Sequence, residues 1–559
     1  MTSQAAYARP PFAHIRVPED SVEIARAGRD VGANRAESHR RNQRPMGPLN
    51  APAEMHAASA PLTHKDIRQV FYGLMLGGFL SAVNQTIVAS ALPTIGRDLA
   101  DFQNLSWVII AYLLSSTVVA PLYGKLSDIH GRRAMMLVAL SLFVGGSAAA
   151  AVAPNMAMLI AARTLQGLGG GGIVPMVQTT VADMVTPRER GNYQAYMGVA
   201  WIVAGVVGPA LGGVIADRWH WSAIFWLNVP LGVATAALVN RSMKRLPRHD
   251  RSHQLDPVGA ALMIAASVAL LLALTSGGTR VPWISPAMFA LISAAIALAV
   301  IFAWWLGRAE EPFLPLDVLG NPVMRIGTMA TSCALGVMTG FMIYMPLYYQ
   351  AVHGLSATQS GLALIPVIVL TTPGSMLSGR AMMYLRHYKI SPYVGMTLTT
   401  AAVAVFALWP TMPLSWAIFA TGVIGFGVGS VFPVATVSIQ NAVERHTVGI
   451  ATGAMNFFRG LVSALVVAVM GAILLAGIGL APERGGAGID LALGRADPAG
   501  VAVAESFRFV FVAALVVSVL ALLAVVLLEE RTLHGPAAKG PEAAPDQHRP
   551  RSSEAVPAE

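Results

Sequence analysis

Fourteen apolar runs, each near the length of a membrane-crossing helix, succeed one another along this chain with only short polar breaks between them. They lie near 70–92, 106–124, 134–153, 156–178, 193–216, 222–240, 257–276, 286–306, 324–347, 360–379, 391–409, 413–434, 448–477 and 506–528. About 20 residues of helix cross a hydrocarbon core of about 30 Å, so each run fits one span. Composition leaves this surface no aqueous home: 55% of the 559 residues are hydrophobic and 12% are charged, against roughly 25% charged in soluble domains. The expected fold class is therefore an all-α polytopic membrane protein with 14 transmembrane helices and the lipid bilayer as its surroundings. The run at 413–434 is the least regular, because glycines interrupt it and its neighbour ends close by.

The net charge of +9 does not point to nucleic acid, because the basic residues sit between the apolar runs. With both termini placed in the cytoplasm, the inward loops hold 16 Lys and Arg and the outward segments hold 6. That asymmetry follows the positive-inside rule and fixes the expected orientation in the inner membrane. Residues 1–65 and 532–559 carry Arg, Pro, Ala and acidic residues without apolar periodicity and read as disordered cytoplasmic tails. The first tail has no apolar h-region, so a cleaved signal peptide is not expected, and Met46 or Met55 could serve as the start.

Enzyme and redox classes find no support. The one cysteine, Cys333, lies inside an apolar run, which rules out an internal disulfide or a zinc cluster built on cysteines. There is no G-x-x-x-x-G-K-[ST] phosphate loop, and Gly167, Gly169 and Gly172 form a G-x-G-x-x-G pattern that neither follows a strand nor opens a βαβ unit. Neither a cofactor nor a metal is expected.

Three motifs stand in a fixed order. Gly124-Lys-Leu-Ser-Asp128-Ile-His-Gly131-Arg132-Arg133 joins the second and third spans, where glycines allow close helix approach and Asp128 can pair with the arginines or cap a helix. The fourth span opens with Leu159-Ile-Ala-Ala-Arg163-Thr-Leu-Gln166-Gly167. A cation one turn into the membrane is expensive, so Arg163 either faces a polar partner or cavity, with Gln166 on its face, or snorkels to the interface. Gly208-Pro209-Ala-Leu-Gly212-Gly213 in the fifth span combines a bending proline with small residues one turn apart.

In this order the motifs resemble those of the major facilitator superfamily, the last being the one that marks its antiporters. Ala204 stands where that motif often has another glycine. Thr86-Ile-Val-Ala-Ser-Ala-Leu-Pro93, Trp107-Val-Ile-Ile-Ala-Tyr112, Trp219-His-Trp221 through Asn228-Val-Pro230, Leu255-Asp256-Pro-Val-Gly259, Pro346-Leu-Tyr-Tyr-Gln350 and Gly449-Ile-Ala-Thr452 are similar to the fourteen-helix drug:proton antiporters of that superfamily. The resemblance covers about 66–531. It implies six-helix bundles at 66–245 and 311–531, two additional helices within 246–310, and alternating access around a midplane site. It also implies export of small amphipathic or drug-like molecules in exchange for protons; a specific metabolite transporter or an uncoupled uniporter is the alternative. Some such relatives work with a periplasmic adaptor protein. The segment 478–505 would be its docking place, or else a flexible linker.

Asn84 departs from the family, many of whose members carry an aspartate there. No carboxylate then lies deep in any span, and Asp128, Asp183 and Asp217 sit at ends or in loops. The candidate proton-coupling and gating set is Arg163, Asp128, Arg132, Asp183 and Asp217, with interfacial capping as the other role for the last two. The candidate substrate cavity comprises Asn84, Gln85, Gln166, Gln178, Tyr344, Tyr348, Gln350, Asn456 and Arg459. Gln85 and Gln178 could share one cluster with Arg163, and the tyrosines could equally belong to an interfacial aromatic belt. Arg459, with Asn456 three residues before it, is a second intramembrane cation of either structural or binding role. Two cations without a deep carboxylate favour neutral or anionic substrates over dications.

Overall fold

The computed structural model describes residues 64–101, 103–245, 255–278, 281–385, 387–477 and 501–531. The expected tails and most of the 478–505 segment lie outside the described residues.

Fourteen long helices correspond to the fourteen runs: α1 His64–Asp98, α2 Trp107–His130, α3 Arg132–Ala151, α4 Met156–Met184, α5 Pro187–Arg218, α6 Ala223–Ser242, α7 Pro257–Ser276, α8 Pro286–Leu306, α9 Pro322–His353, α10 Ile365–Tyr384, α11 Ile390–Leu408, α12 Leu414–Ala442, α13 Val448–Gly477 and α14 Val501–Leu527. Among the described residues there is no β-strand, and the protein is a multi-pass membrane protein. Thirteen of these helices are long and apolar enough to cross a membrane by length and composition. α4 is as long, at 29 residues, but Arg163, Gln166, Gln178 and its run of glycines lower its hydropathy. Those residues are buried inside the protein, so α4 crosses as a helix surrounded by other helices.

Several helices outlast their apolar runs by one or two turns, and local capping marks several of the helix ends. Asn155, Asp256, Ser285 and Asn321 accept backbone N–H bonds at the starts of α4, α7, α8 and α9. Proline follows the cap in the last three, where its missing N–H costs nothing. Thr186 and Glu189 form a reciprocal capping box at α5. α9 stops at Gly354, whose φ of +64° suits glycine.

The irregular run at 413–434 is an unbroken helix, and its glycines explain its packing. A Cβ on Gly425 or Gly429 would lie 2.2 or 2.0 Å from a carbonyl oxygen of α10, and one on Gly427 would lie 2.1 Å from that of Gly395 in α11. Only glycine lets three backbones approach this closely.

The helix pairings repeat. In α1–α6 the pairs are α1/α5, α2/α4, α3/α4, α3/α6 and α1/α6, and in α9–α14 the equivalents are α9/α13, α10/α12, α11/α12, α11/α14 and α9/α14. The two bundles meet along α2/α13 and α5/α10, which exchange under the same repeat. Both seams close on glycine pairs. A Cβ on Gly124 would lie 2.5 Å from the Gly449 carbonyl oxygen, and one on Gly379 would lie 2.4 Å from that of Gly191. All four glycines lie near the face where α1 begins and α14 ends, hereafter the basic face. α7 packs beside the α2/α13 seam. Asp256 ties it to α8 and the next segment by accepting Trp305 Nε1 at 3.1 Å and the Phe313 N–H at 3.1 Å. α8 is the outermost helix, with only 11% of its apolar window buried.

Candidate functional site

Three polar groups interrupt the apolar interior, at three depths.

The deepest lies wholly within the first bundle. Asn84 of α1, fully buried, receives three donors on one oxygen: Gln166 Nε2 at 3.0 Å, Asn228 Nδ2 at 3.2 Å and Arg163 Nη1 at 3.4 Å. Arg163 also donates Nε to the Val108 carbonyl at 2.9 Å and Nη1 to Gln166 Oε1 at 2.5 Å. Its guanidinium lies 4.4 Å from the centre of the Tyr112 ring. Gln166 donates in turn to Ser147 at 2.6 Å. Four helices, α1, α2, α4 and α6, thus close on one cation that has no carboxylate within salt-bridge range among the described residues. Neutral oxygens and a π face carry the charge, and such a group is stable only while every one of them is in place. The neighbouring glycines fit the same design: a Cβ on Gly167 would lie 2.5 Å from the Tyr112 carbonyl oxygen.

The second group crosses the seam between the bundles. Asn456 of α13 donates to Gln178 Oε1 of α4 at 2.7 Å, and its own oxygen accepts Arg459 Nη2 at 2.5 Å. Gln440 of α12 reaches Thr452 Oγ1 at 3.3 Å and the Gln178 carbonyl at 3.4 Å. Phe432 lies 5.8 Å from the Arg459 guanidinium carbon. Gln178 and Gln440 are buried, whereas Asn456, Arg459 and Phe432 are part-exposed.

The third group closes the basic face. Arg132 pairs with Asp128 at 2.6 Å and with Asp183 at 2.8 Å. Asp128 Oδ2 accepts the Ile450 N–H of α13 at 2.9 Å, which fastens the first bundle to the second. A Cβ on Gly449 would collide with both Asp128 and Arg132. Arg190 caps the end of α4, donating to the carbonyls of Ala182 at 2.6 Å and Val185 at 3.3 Å.

The structure separates residues that sequence spacing had grouped. Gln178 does not share a cluster with Arg163, since 15 residues of helix put them about 22 Å apart. Gln85 is part-buried and bonds to neither. Asn84 and Gln166 are fully buried within the first bundle and line no open space. Tyr348, expected in a cavity or an aromatic belt, instead belongs to the core of the second bundle. Its ring packs edge-on against Phe406, Phe507 and Phe511, and its hydroxyl donates to the Pro410 carbonyl at 2.7 Å. Tyr344 is part-buried and donates to the Val467 carbonyl, and Gln350 donates to its own helix at Pro346. Gly208 and Gly212 press α5 onto α1 at Thr86 and Ser90, Gly213 faces open space, and Pro209 lies inside the continuous helix. The Asp217 side chain lies outside the described residues. Asn228, Ser147, Gln440 and Thr452 had been given no role; lone polar residues inside apolar runs were their only signal.

The repeated bundles, the glycine seams and the Asp128–Arg132–Asp183 group coincide with what sequence comparison finds. The family model of the Major Facilitator Superfamily matches residues 74–257 and 257–467. The chain belongs to this superfamily. It is 32% identical over 508 residues to an uncharacterised MFS-type transporter of Mycobacterium tuberculosis, covering 87% of this chain and 73% of that one. It is 31% identical over 407 residues to the multidrug transporter protein MdtP of Bacillus subtilis, covering 72% and 74%. Among solved structures, the proton:xylose symporter XylE superposes with a TM-score of 0.54 at 14% identity, covering 81% of this chain and 95% of the symporter; that likeness concerns the fold alone. The superfamily member described here is a transporter, not an enzyme.

Proposed function

We propose that this transporter exports small amphipathic, drug-like molecules across the inner membrane by alternating access, in exchange for protons, with the basic face in the cytoplasm. The observation that carries the reading is the seam at the basic face. There Asp128 holds Arg132 within its own bundle and the Ile450 N–H of the other, while the polar group of Gln178, Asn456 and Arg459 lies just beyond it. The arrangement fits a state closed toward the cytoplasm, and relatives named as multidrug transporters and efflux pumps support the outward direction.

Asp128 and Asp183 are the carboxylates whose protonation would act on the seam. A proton on Asp128 removes the charge that attracts Arg132 and weakens the bond from Ile450, which favours opening of the basic face. One observation favours the rival reading of an uncoupled uniporter: Asn84, at the family's aspartate position, is an amide and does not titrate. Export of a fluorescent amphipathic dye from vesicles, with and without an uncoupler, decides between them. Uncoupler-sensitive export that is lost in Asp128→Asn supports the antiporter, and movement indifferent to the gradient rejects it.

A further inference from the structure

The two intramembrane arginines differ in what remains free. Arg163 is enclosed, 1% exposed, with Nε and Nη1 bonded to oxygens of its own bundle. Arg459 stands twelve residues into the 30-residue α13, far from either end, and is nonetheless part-exposed. Only its Nη2 has a protein acceptor; Nε and Nη1 have none among the described residues, and no carboxylate lies within salt-bridge range.

Its neighbours are arranged as donors. The Asn456 oxygen is taken by Arg459 itself, and the Gln178 oxygen is taken by Asn456. Gln178 Nε2 is therefore the end of that chain that remains, and it has no protein acceptor among the described residues. Unpaired donors around a cation suit a ligand that accepts: a carboxylate, sulfonate or phosphate oxygen; the buried Gln440 Oε1 of the same group is an acceptor without a protein partner. Phe432, part-exposed beside the guanidinium, offers an apolar wall for the rest of an amphipathic molecule. The cation needs compensation at this depth, and among the described residues no carboxylate supplies it.

We propose that Arg459 and Gln178 form an anion subsite, and that the transported molecules carry an acidic oxygen group on an apolar body. The proposal rests on the export reading and names its substrate class. Because Gln178 belongs to the first bundle and Arg459 to the second, an anion bound by both bridges the seam. Its binding free energy then favours one of the two bundle arrangements over the other.

The test uses the purified full chain and three matched probes: pyrenebutyrate, pyrenebutanol and the pyrenylbutyl trimethylammonium cation. Binding is read by fluorescence polarisation, and movement is followed in vesicles. The intact protein should bind the carboxylate more tightly than the other two. Arg459→Gln should reduce that preference by roughly ten- to a hundredfold, the range one charge-assisted hydrogen bond spans. Arg459→Lys should keep part of it, and Gln178→Leu should lower it without removing it. Helix content and elution volume matching the parent establish that the variants are folded, and the partial retention in Arg459→Lys supplies a second, independent readout. Equal binding of all three probes, or an unchanged carboxylate preference in Arg459→Gln, overturns the subsite. If the preference is present and vesicles move no probe, the export reading fails and the subsite stands; if the cation is exported while the carboxylate goes unbound, the reverse holds.

Discussion

Arg163 and Arg459 are the same side chain in the same solvent-poor setting, yet the structure treats them oppositely. Around Arg163 three helices of one bundle contribute oxygens and two contribute rings, so that the cation is sealed, although Asn84 Nδ2 and the Tyr112 hydroxyl stay buried without a protein partner. Around Arg459 one oxygen is contributed, by Asn456 of its own helix, which in turn reaches Gln178 of the other bundle, and donors remain. The difference teaches that a membrane-embedded cation announces a polar cluster without saying whether the cluster is a rivet or a receptor. What decides is whether the cluster around it closes within one bundle or reaches across to the other.

The sharpest way to break this comparison is to replace each cation by a hydrophobe. Arg163→Leu takes the donor from Gln166 Oε1 and the Val108 carbonyl and one of three from Asn84 inside the first bundle, and should destabilise the protein by about 3 kcal/mol. Arg459→Leu leaves only Asn456 short of a bond and should change stability by less than about 1 kcal/mol while abolishing carboxylate preference. Thermal unfolding in detergent reads both, and equal losses would end the distinction.

A second effect concerns the seam. Gly449→Ala places a methyl against Asp128 and Arg132 and should cost the closed arrangement about 2 kcal/mol, as overpacking does. With the buried Cys333 replaced by serine, labelling of Thr452→Cys from the basic face should rise in Gly449→Ala. Unchanged labelling would mean that the seam yields elsewhere. Asp128→Asn should act in the same direction and more weakly, about 1 kcal/mol, because the amide oxygen can still accept the Ile450 N–H. The smallest effect expected is that of Asn84→Asp. The three donors already converge on one oxygen there, so a carboxylate should fit with a stability change within about 1 kcal/mol. A large loss of folded protein would show that the cluster requires an amide.

Much of the architecture was legible before any coordinates. Lengths of apolar runs set the helices, and the Gly124–Arg133 loop announced the charged group at the basic face. Glycines in 413–434 were legible as a pattern but not in meaning. Read alone they weaken a helix, and only the carbonyls of Val367, Thr371 and Gly395 pressed against them reveal why they are there.

The site was less legible, for a physical reason. Spacing along one helix tells which residues share a face, and it correctly put Gln166 beside Arg163 and Asn456 beside Arg459. It cannot tell which face of another helix comes opposite. Gln178 was grouped with Arg163 on its own helix, but its partner is Asn456, 278 residues away. Tyr348 looked like an interfacial aromatic until α11 and α14 closed over it. The sequence by itself determined that this chain spans a membrane as fourteen helices and which face carries the basic loops, because hydropathy and charge act locally. Only the tertiary structure decided which cation is sealed and which is left between the bundles, because helix rotation and tilt are set by glycine contacts between segments far apart in the chain.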